Sequence, residues 1–97
     1  MIKDRVGRQR YILFSVEGEA TRRDLIRAIN DAYQAVHAEG EAPWLTVYTG
    51  RMGIVRCRHT RKDETIQLLN DITGDFSVTT LQTSGTIKTL KEQISNS

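Results

Sequence analysis

The chain is short of several residue types, and each shortage excludes something. A single cysteine, Cys57, excludes an internal disulfide and fits a reducing compartment. No apolar run approaches the length of a membrane-spanning helix. The first residues are charged and lack an apolar core segment, so no secretory signal is expected and a cytoplasmic location is. Histidines number two, His37 and His59, and with Cys57 they have no metal-ligand spacing. The acidic residues form no paired arrangement suited to two-metal chemistry. Cys57 reads as a small core hydrophobe rather than a nucleophile. No catalytic set, protein-bound metal or cofactor is therefore expected.

Acid is missing where it would be most informative. Between Gly50 and Lys62 stand five basic residues (Arg51, Arg56, Arg58, Arg61, Lys62) and no acid. Between Met1 and Arg10 stand Lys3, Arg5, Arg8 and Arg10 against Asp4 alone. The net charge of +2 hides this asymmetry, which points to a side that faces a polyanion. At 97 residues, 38% of them hydrophobic, the chain is long enough for one domain with a modest core. It carries no repeats, low-complexity tracts or linkers. Residues 1–9 read as a basic arm and 10–97 as the domain.

Arg10 to Val16 alternates as a strand, with Ile12, Phe14 and Val16 on its core face and Tyr11, Leu13 and Ser15 opposite. Thr21 and Asp24 form a capping box for a helix carrying Leu25, Ala28, Ile29, Ala32, Tyr33 and Val36 on one stripe, closed by Gly40. Pro43 precedes a second strand, Trp44 to Thr49. Its alternation places Leu45 and Val47 on one face and Trp44, Thr46 and Tyr48 on the other. Gly50-Arg51-Met52-Gly53 reads as a glycine-flanked hairpin turn. The third strand follows, with Val55 and Cys57 facing one way and Ile54, Arg56 and Arg58 the other. Thr60, with Asp63, is expected to cap a second helix buried through Ile66, Leu69 and Ile72, with Leu68 flanking. A fourth strand spans Phe76 to Thr83, with Val78 its core residue. Ser84-Gly85-Thr86 opens a third helix with Ile87, Leu90 and Ile94 on one stripe.

The order β-α-β-β-α-β with a terminal helix is the α+β, ferredoxin-like split β-α-β sandwich. Its first and third strands are the central pair, and two helices cover one face. The other face would carry Tyr11, Leu13, Trp44, Tyr48, Arg56 and Arg58. Rings interleaved with guanidiniums suit RNA, by stacking and by phosphate pairing. The alternative is that Trp44 and Tyr48 pack under the third helix or a protein partner. The Ser84-Gly85-Thr86 helix end presents free N–H groups, with Lys88 a turn on, and can serve a phosphate or simply cap the helix. The stripe of Ile87, Leu90 and Ile94 either crosses the open face or meets a partner protein.

Three blocks carry a resemblance: Arg10-Tyr11-Ile12-Leu13-Phe14, Gly53-Ile54-Val55-Arg56-Cys57, and Thr83-Ser84-Gly85-Thr86-Ile87-Lys88. In this order they resemble the archaeal ribonuclease P protein component 2 family, the counterpart of the eukaryotic Pop-five subunit. The resemblance implies a non-catalytic subunit of a ribonucleoprotein endonuclease that matures the 5′ end of precursor transfer RNA. The RNA would carry the chemistry and any Mg2+. Ribonuclease P RNA, precursor tRNA and the TIM-barrel protein component 3 are the implied partners, within a heterotetramer joined through component 2. The expected RNA contacts are Arg5, Arg8, Arg10, Tyr11, Arg56, Arg58, Ser84, Gly85, Thr86 and Lys88. Trp44, Tyr48, Ile87, Leu90 and Ile94 are the expected protein contacts. Two other classes compete. An acylphosphatase-like enzyme would need a phosphate cradle after the first strand, where Glu17-Gly18-Glu19 would repel one. A small-ligand regulatory module would bind a metabolite specifically and RNA only weakly.

Overall fold

Period-two alternation builds four strands: β1 (Gln9–Gly18), β2 (Trp44–Tyr48), β3 (Met52–Arg58) and β4 (Phe76–Ser84). Period-3.6 stripes build α1 (Arg22–Val36), α2 (Lys62–Asn70) and α3 (Ile87–Ser95). The computed structural model describes residues 9–36 and 42–95. Its strands form one antiparallel sheet in the order β2-β3-β1-β4, with β1 and β3 central, as the ferredoxin-like reading expects.

The main core lies between the sheet and α1 with α2. Ile12, Phe14 and Val16 of β1 meet Leu25, Ile29 and Tyr33 of α1 and Leu68 and Leu69 of α2, with Val55, Cys57 and Val78 completing the layer. α1 begins where expected: the Asp24 N–H donates to Thr21 Oγ1 at 3.1 Å and the Thr21 N–H to Asp24 Oδ2 at 3.0 Å. That reciprocal pair satisfies two donors at the helix end. It also holds the Asp24 carboxyl below the usual aspartate range, first through the backbone hydrogen bond and then through the Thr21 hydroxyl. The expected stop at Gly40 lies outside the described residues.

α2 starts later than Thr60. A short 3-10 turn, His59–Arg61, comes first, and no side chain caps the helix at Arg61. The buried stripe runs through Thr65, Leu68 and Leu69, with Ile72 buried just past the helix as expected, while Ile66 is only half-buried. Thr65 Oγ1 donates to the Arg61 carbonyl at 2.8 Å, which accounts for a buried hydroxyl on that face.

Gly53 belongs to β3 rather than to the hairpin turn. A Cβ there would stand 2.6 Å from Phe14 Cζ and 2.8 Å from the Val47 carbonyl oxygen. The missing side chain is what lets the Phe14 ring lie down on the neighbouring strand. Gly50, with φ near 101°, supplies the left-handed turn residue.

The second face is partly covered by the chain itself. α3 crosses it, and Leu90, 0% exposed, packs with Leu13 and Ile54, with Tyr11, Val47, Met52, Ile87 and Ile94 around them. Gln93 Nε2 donates to Gln82 Oε1 at 2.6 Å and ties the helix to β4. Of the two seats open to this stripe, the chain's own sheet takes it. Leu90 is internal core and has no surface to offer a partner.

Candidate nucleic-acid interface

A bulge in β2 rearranges the expected face. Trp44 stands opposite Arg56 and Leu45 opposite Val55, but Val47 then pairs with Ile54 and Tyr48 with Gly53. Thr46 is the extra residue, and its hydroxyl donates to the Ile54 carbonyl at 3.0 Å. One inserted residue inverts every side chain beyond it. Val47 therefore joins Trp44 on the α3 side, whereas Tyr48 turns to the α1 side. There the Tyr48 hydroxyl donates to the Ala20 carbonyl, with the Gly50 carbonyl 3.0 Å away. Desolvation, then the nearby Asp24 charge, pushes its ionisation above the usual tyrosine range. Tyr48 thus leaves the face where the sequence put it.

What remains is a row across all four strands: Trp44, Arg56, Tyr11 and Ser84 stand opposite one another in register. The next pair outward is Arg58 opposite Gln9. Arg56 and Arg58 share this face and are both exposed, about 7 Å apart along the strand. Behind them, Val55 and Cys57 anchor β3 in the main core, and burial pushes the Cys57 thiol up, partly offset by a hydrogen bond with Thr65. Tyr11 is half-covered against the α3 cluster, but Trp44 is 63% exposed.

Arg10 arrives at the same end of the sheet from the other side. It shares the parity of Ile12 and Phe14, yet its guanidinium lies against Gly85, where a Cβ would stand 2.7 Å from Nη1. Next to it, the Thr86 N–H donates to Ser84 Oγ at 3.2 Å, which orders the entry to α3. Lys88 is exposed in the first turn of that helix. Arg10, Arg56, Arg58 and the 84–88 segment thus gather at one end of the sheet, although not on one face. Glu17, Glu19 and Asp75 lie at the other end, where Gly18 pairs with Phe76. Arg51 lies there too, about 24 Å of strand away from Arg58, so the basic run of the sequence is divided between the two ends. Arg5 and Arg8 lie outside the described residues. Ile87 and Ile94 flank Leu90 half-buried, and between them they leave only a narrow apolar edge.

Among the described residues no group of His, Cys, Asp and Glu is placed to hold a metal ion. A cleft of about 160 Å³ lies between α1 and α2, lined by Tyr33, Arg61, Thr65 and Leu68 among others. It falls short of the roughly 300–1,000 Å³ of typical small-molecule sites. A larger hollow, about 620 Å³, lies open to solvent along the outer side of α3 by Lys88 and Lys91.

The sequence profile of the Rpp14/Pop5 family matches residues 10–95. No curated protein sequence matches the chain. Among solved structures, a chain of yeast ribonuclease MRP, seen by cryo-electron microscopy, superposes with a TM-score of 0.68 at 14% identity. The superposition covers 92% of each chain. At that identity the likeness speaks for the fold.

Proposed function

The chain belongs to the Rpp14/Pop5 family, and from that premise we propose that it is a protein subunit of a ribonuclease P-type ribonucleoprotein. In this reading it binds the catalytic RNA and supports removal of the 5′ leader from precursor tRNA. The chemistry, with its Mg2+, rests with the RNA. The chain of similar fold comes from a structure of yeast ribonuclease MRP, and together with the family match this supports placing the chain among RNA and protein partners. A TIM-barrel subunit and a second copy of the chain are the protein partners proposed for it.

The observation that carries the reading is the convergence of Arg10, Arg56, Arg58 and the 84–88 segment at one end of the sheet. Arginines at strand ends pair with phosphates in the forked geometry that suits them. The first-turn N–H groups of α3, beyond the Thr86 N–H already held by Ser84, and the Lys88 charge add a second place for a phosphate. The small-ligand alternative has less to stand on: the α1–α2 cleft is only about 160 Å³, and the larger hollow by Lys88 and Lys91 lies open to solvent rather than enclosed.

The test combines purified chain, ribonuclease P RNA and precursor tRNA in each pairing. Cleavage is expected only where the RNA is present, with the chain bound to that RNA in preference to an unrelated RNA of equal length. Turnover by RNA-free chain, absent from an inactive control preparation, would overturn the assignment of chemistry. Equal affinity for both RNAs would overturn the assignment of partner.

A further inference from the structure

We propose that Trp44 is a stacking platform for an unpaired RNA base, held beside the phosphate-binding arginines of β3. The inference rests on the RNA-facing reading above and deepens it by naming the form of RNA received: single-stranded rather than duplex.

Three observations carry it. First, Trp44, which opens the edge strand β2, is 63% exposed. A large ring left in water is the informative exception among surface residues. The β2 bulge does not turn it inward: Trp44 precedes Thr46, so it keeps the face it shares with Arg56. Secondly, α3 is seated elsewhere: it packs chiefly on β4, β1 and β3, over the row containing Leu13 and Ile54 and against Tyr11, and the β2 residue in its cluster is Val47. The open part of the face is thus bounded by the helix on one side and the sheet end on the other. Thirdly, the surroundings are cationic. Arg56 stands directly opposite Trp44 and Arg58 one pair further out, while Gln9, Tyr11 and Ser84 complete the two rows without an acid.

An apolar ring flanked by two guanidiniums fits an unpaired nucleotide in both its parts. The base lies on the indole, and its phosphates meet Arg56 and Arg58, whose separation of about 7 Å approximates one nucleotide step. A duplex offers only phosphates and groove edges, since its bases are stacked on each other. A protein partner covering Trp44 would have to bring acids to these two arginines as well as an apolar surface to the ring.

Trp44 is the chain's single tryptophan, so its fluorescence reports this site alone. The experiment titrates the full chain with an adenylate oligomer and with the duplex that oligomer forms with oligouridylate. Both are followed by Trp44 emission and by anisotropy of labelled RNA. The single strand is expected to quench Trp44 saturably as it binds, and the duplex to bind with little quenching. W44A should weaken single-strand binding about 5- to 150-fold, the range of base–aromatic stacking, and W44F should restore most of it. Circular dichroism establishes that the variants are folded. R56A should weaken both RNAs while leaving the quenching at saturation by single strand in place. RNA binding without quenching, or W44A with unchanged affinity, would overturn the platform and leave the RNA-subunit reading intact. Emission that shifts with protein concentration or with an added protein, but not with RNA, would assign Trp44 to a protein interface instead. Absence of binding to any RNA would sink both readings together.

Discussion

Replacing Leu90 by alanine tests how α3 is held. The residue is fully buried between Leu13 and Ile54, and it is the one side chain of α3 to be so. Its neighbours on the stripe, Ile87 and Ile94, are only half-buried. A nine-residue helix has almost no stability of its own, so its position depends on tertiary packing. Deleting a buried leucine's outer atoms typically costs about 2–5 kcal/mol, made of forfeited transfer energy plus the cavity left behind. Here Leu90 is the helix's one fully buried anchor, so the helix can settle toward the sheet, which places the expected cost near the lower end, about 2–3 kcal/mol. A domain of this size has of the order of 5–15 kcal/mol in all, so the loss would be a large fraction of the total. Urea unfolding followed by circular dichroism measures it, with L81A as the control. Leu81, 52% exposed on the edge strand, should change stability by no more than about 0.5 kcal/mol. An L90A variant as stable as L81A would refute the internal seat of this helix. A stable L90A that no longer binds a protein partner would be more instructive still, because Leu90 would then serve an interface rather than the core.

Other consequences follow from the packing. G53A should destabilise by about 1–3 kcal/mol, because a methyl would press on both Phe14 and the backbone of β2; an unfolding midpoint equal to wild type would contradict that close approach. T21A should cost about 1 kcal/mol by removing the side chain that caps α1, measured in the same way. The Asp24 carboxyl ionises more readily folded than unfolded, so its contribution is fully present above the ordinary aspartate range and is lost as pH falls through the lowered value. D24N should accordingly flatten the acid limb of the stability profile, and an unchanged limb would show that the capping box contributes nothing to it.

Most of the fold was legible because it depends on composition along each element. The alternation of Ile12, Phe14 and Val16, the stripe from Leu25 to Tyr33 and the Thr21–Asp24 pair each identify an element from its own residues. What escaped depends on how elements meet. Nothing in Trp44-Leu45-Thr46-Val47-Tyr48 announces a bulge, yet the extra residue sends Tyr48 to α1 and Val47 to α3. A second irregularity lies between β1 and β4, where Leu13 pairs with Gln82 and Phe14 with Thr80, leaving Leu81 as the unpaired residue on the exposed edge. Gly53 looked like a turn residue because its other role, clearance for Phe14, requires knowing which strand lies beside it. The site was half legible for the same reason. Arg56 and Arg58 share a face by spacing alone, but the approach of Arg10 to Gly85 is a product of the β1–β4 register. Arg51 looked like their neighbour only because sequence distance hides the length of β3.

The central claim is that the RNA meets the basic end of this sheet, and the salt dependence of binding by R56A/R58A tests it most directly. Both side chains are exposed, so the double variant should fold with nearly wild-type stability. Its affinity for ribonuclease P RNA should fall. Its log–log salt slope should flatten by about 0.7 for each phosphate no longer neutralised, or about 1.4 for both. A folded double variant with wild-type affinity and an unchanged slope would mean that the RNA is held on another surface.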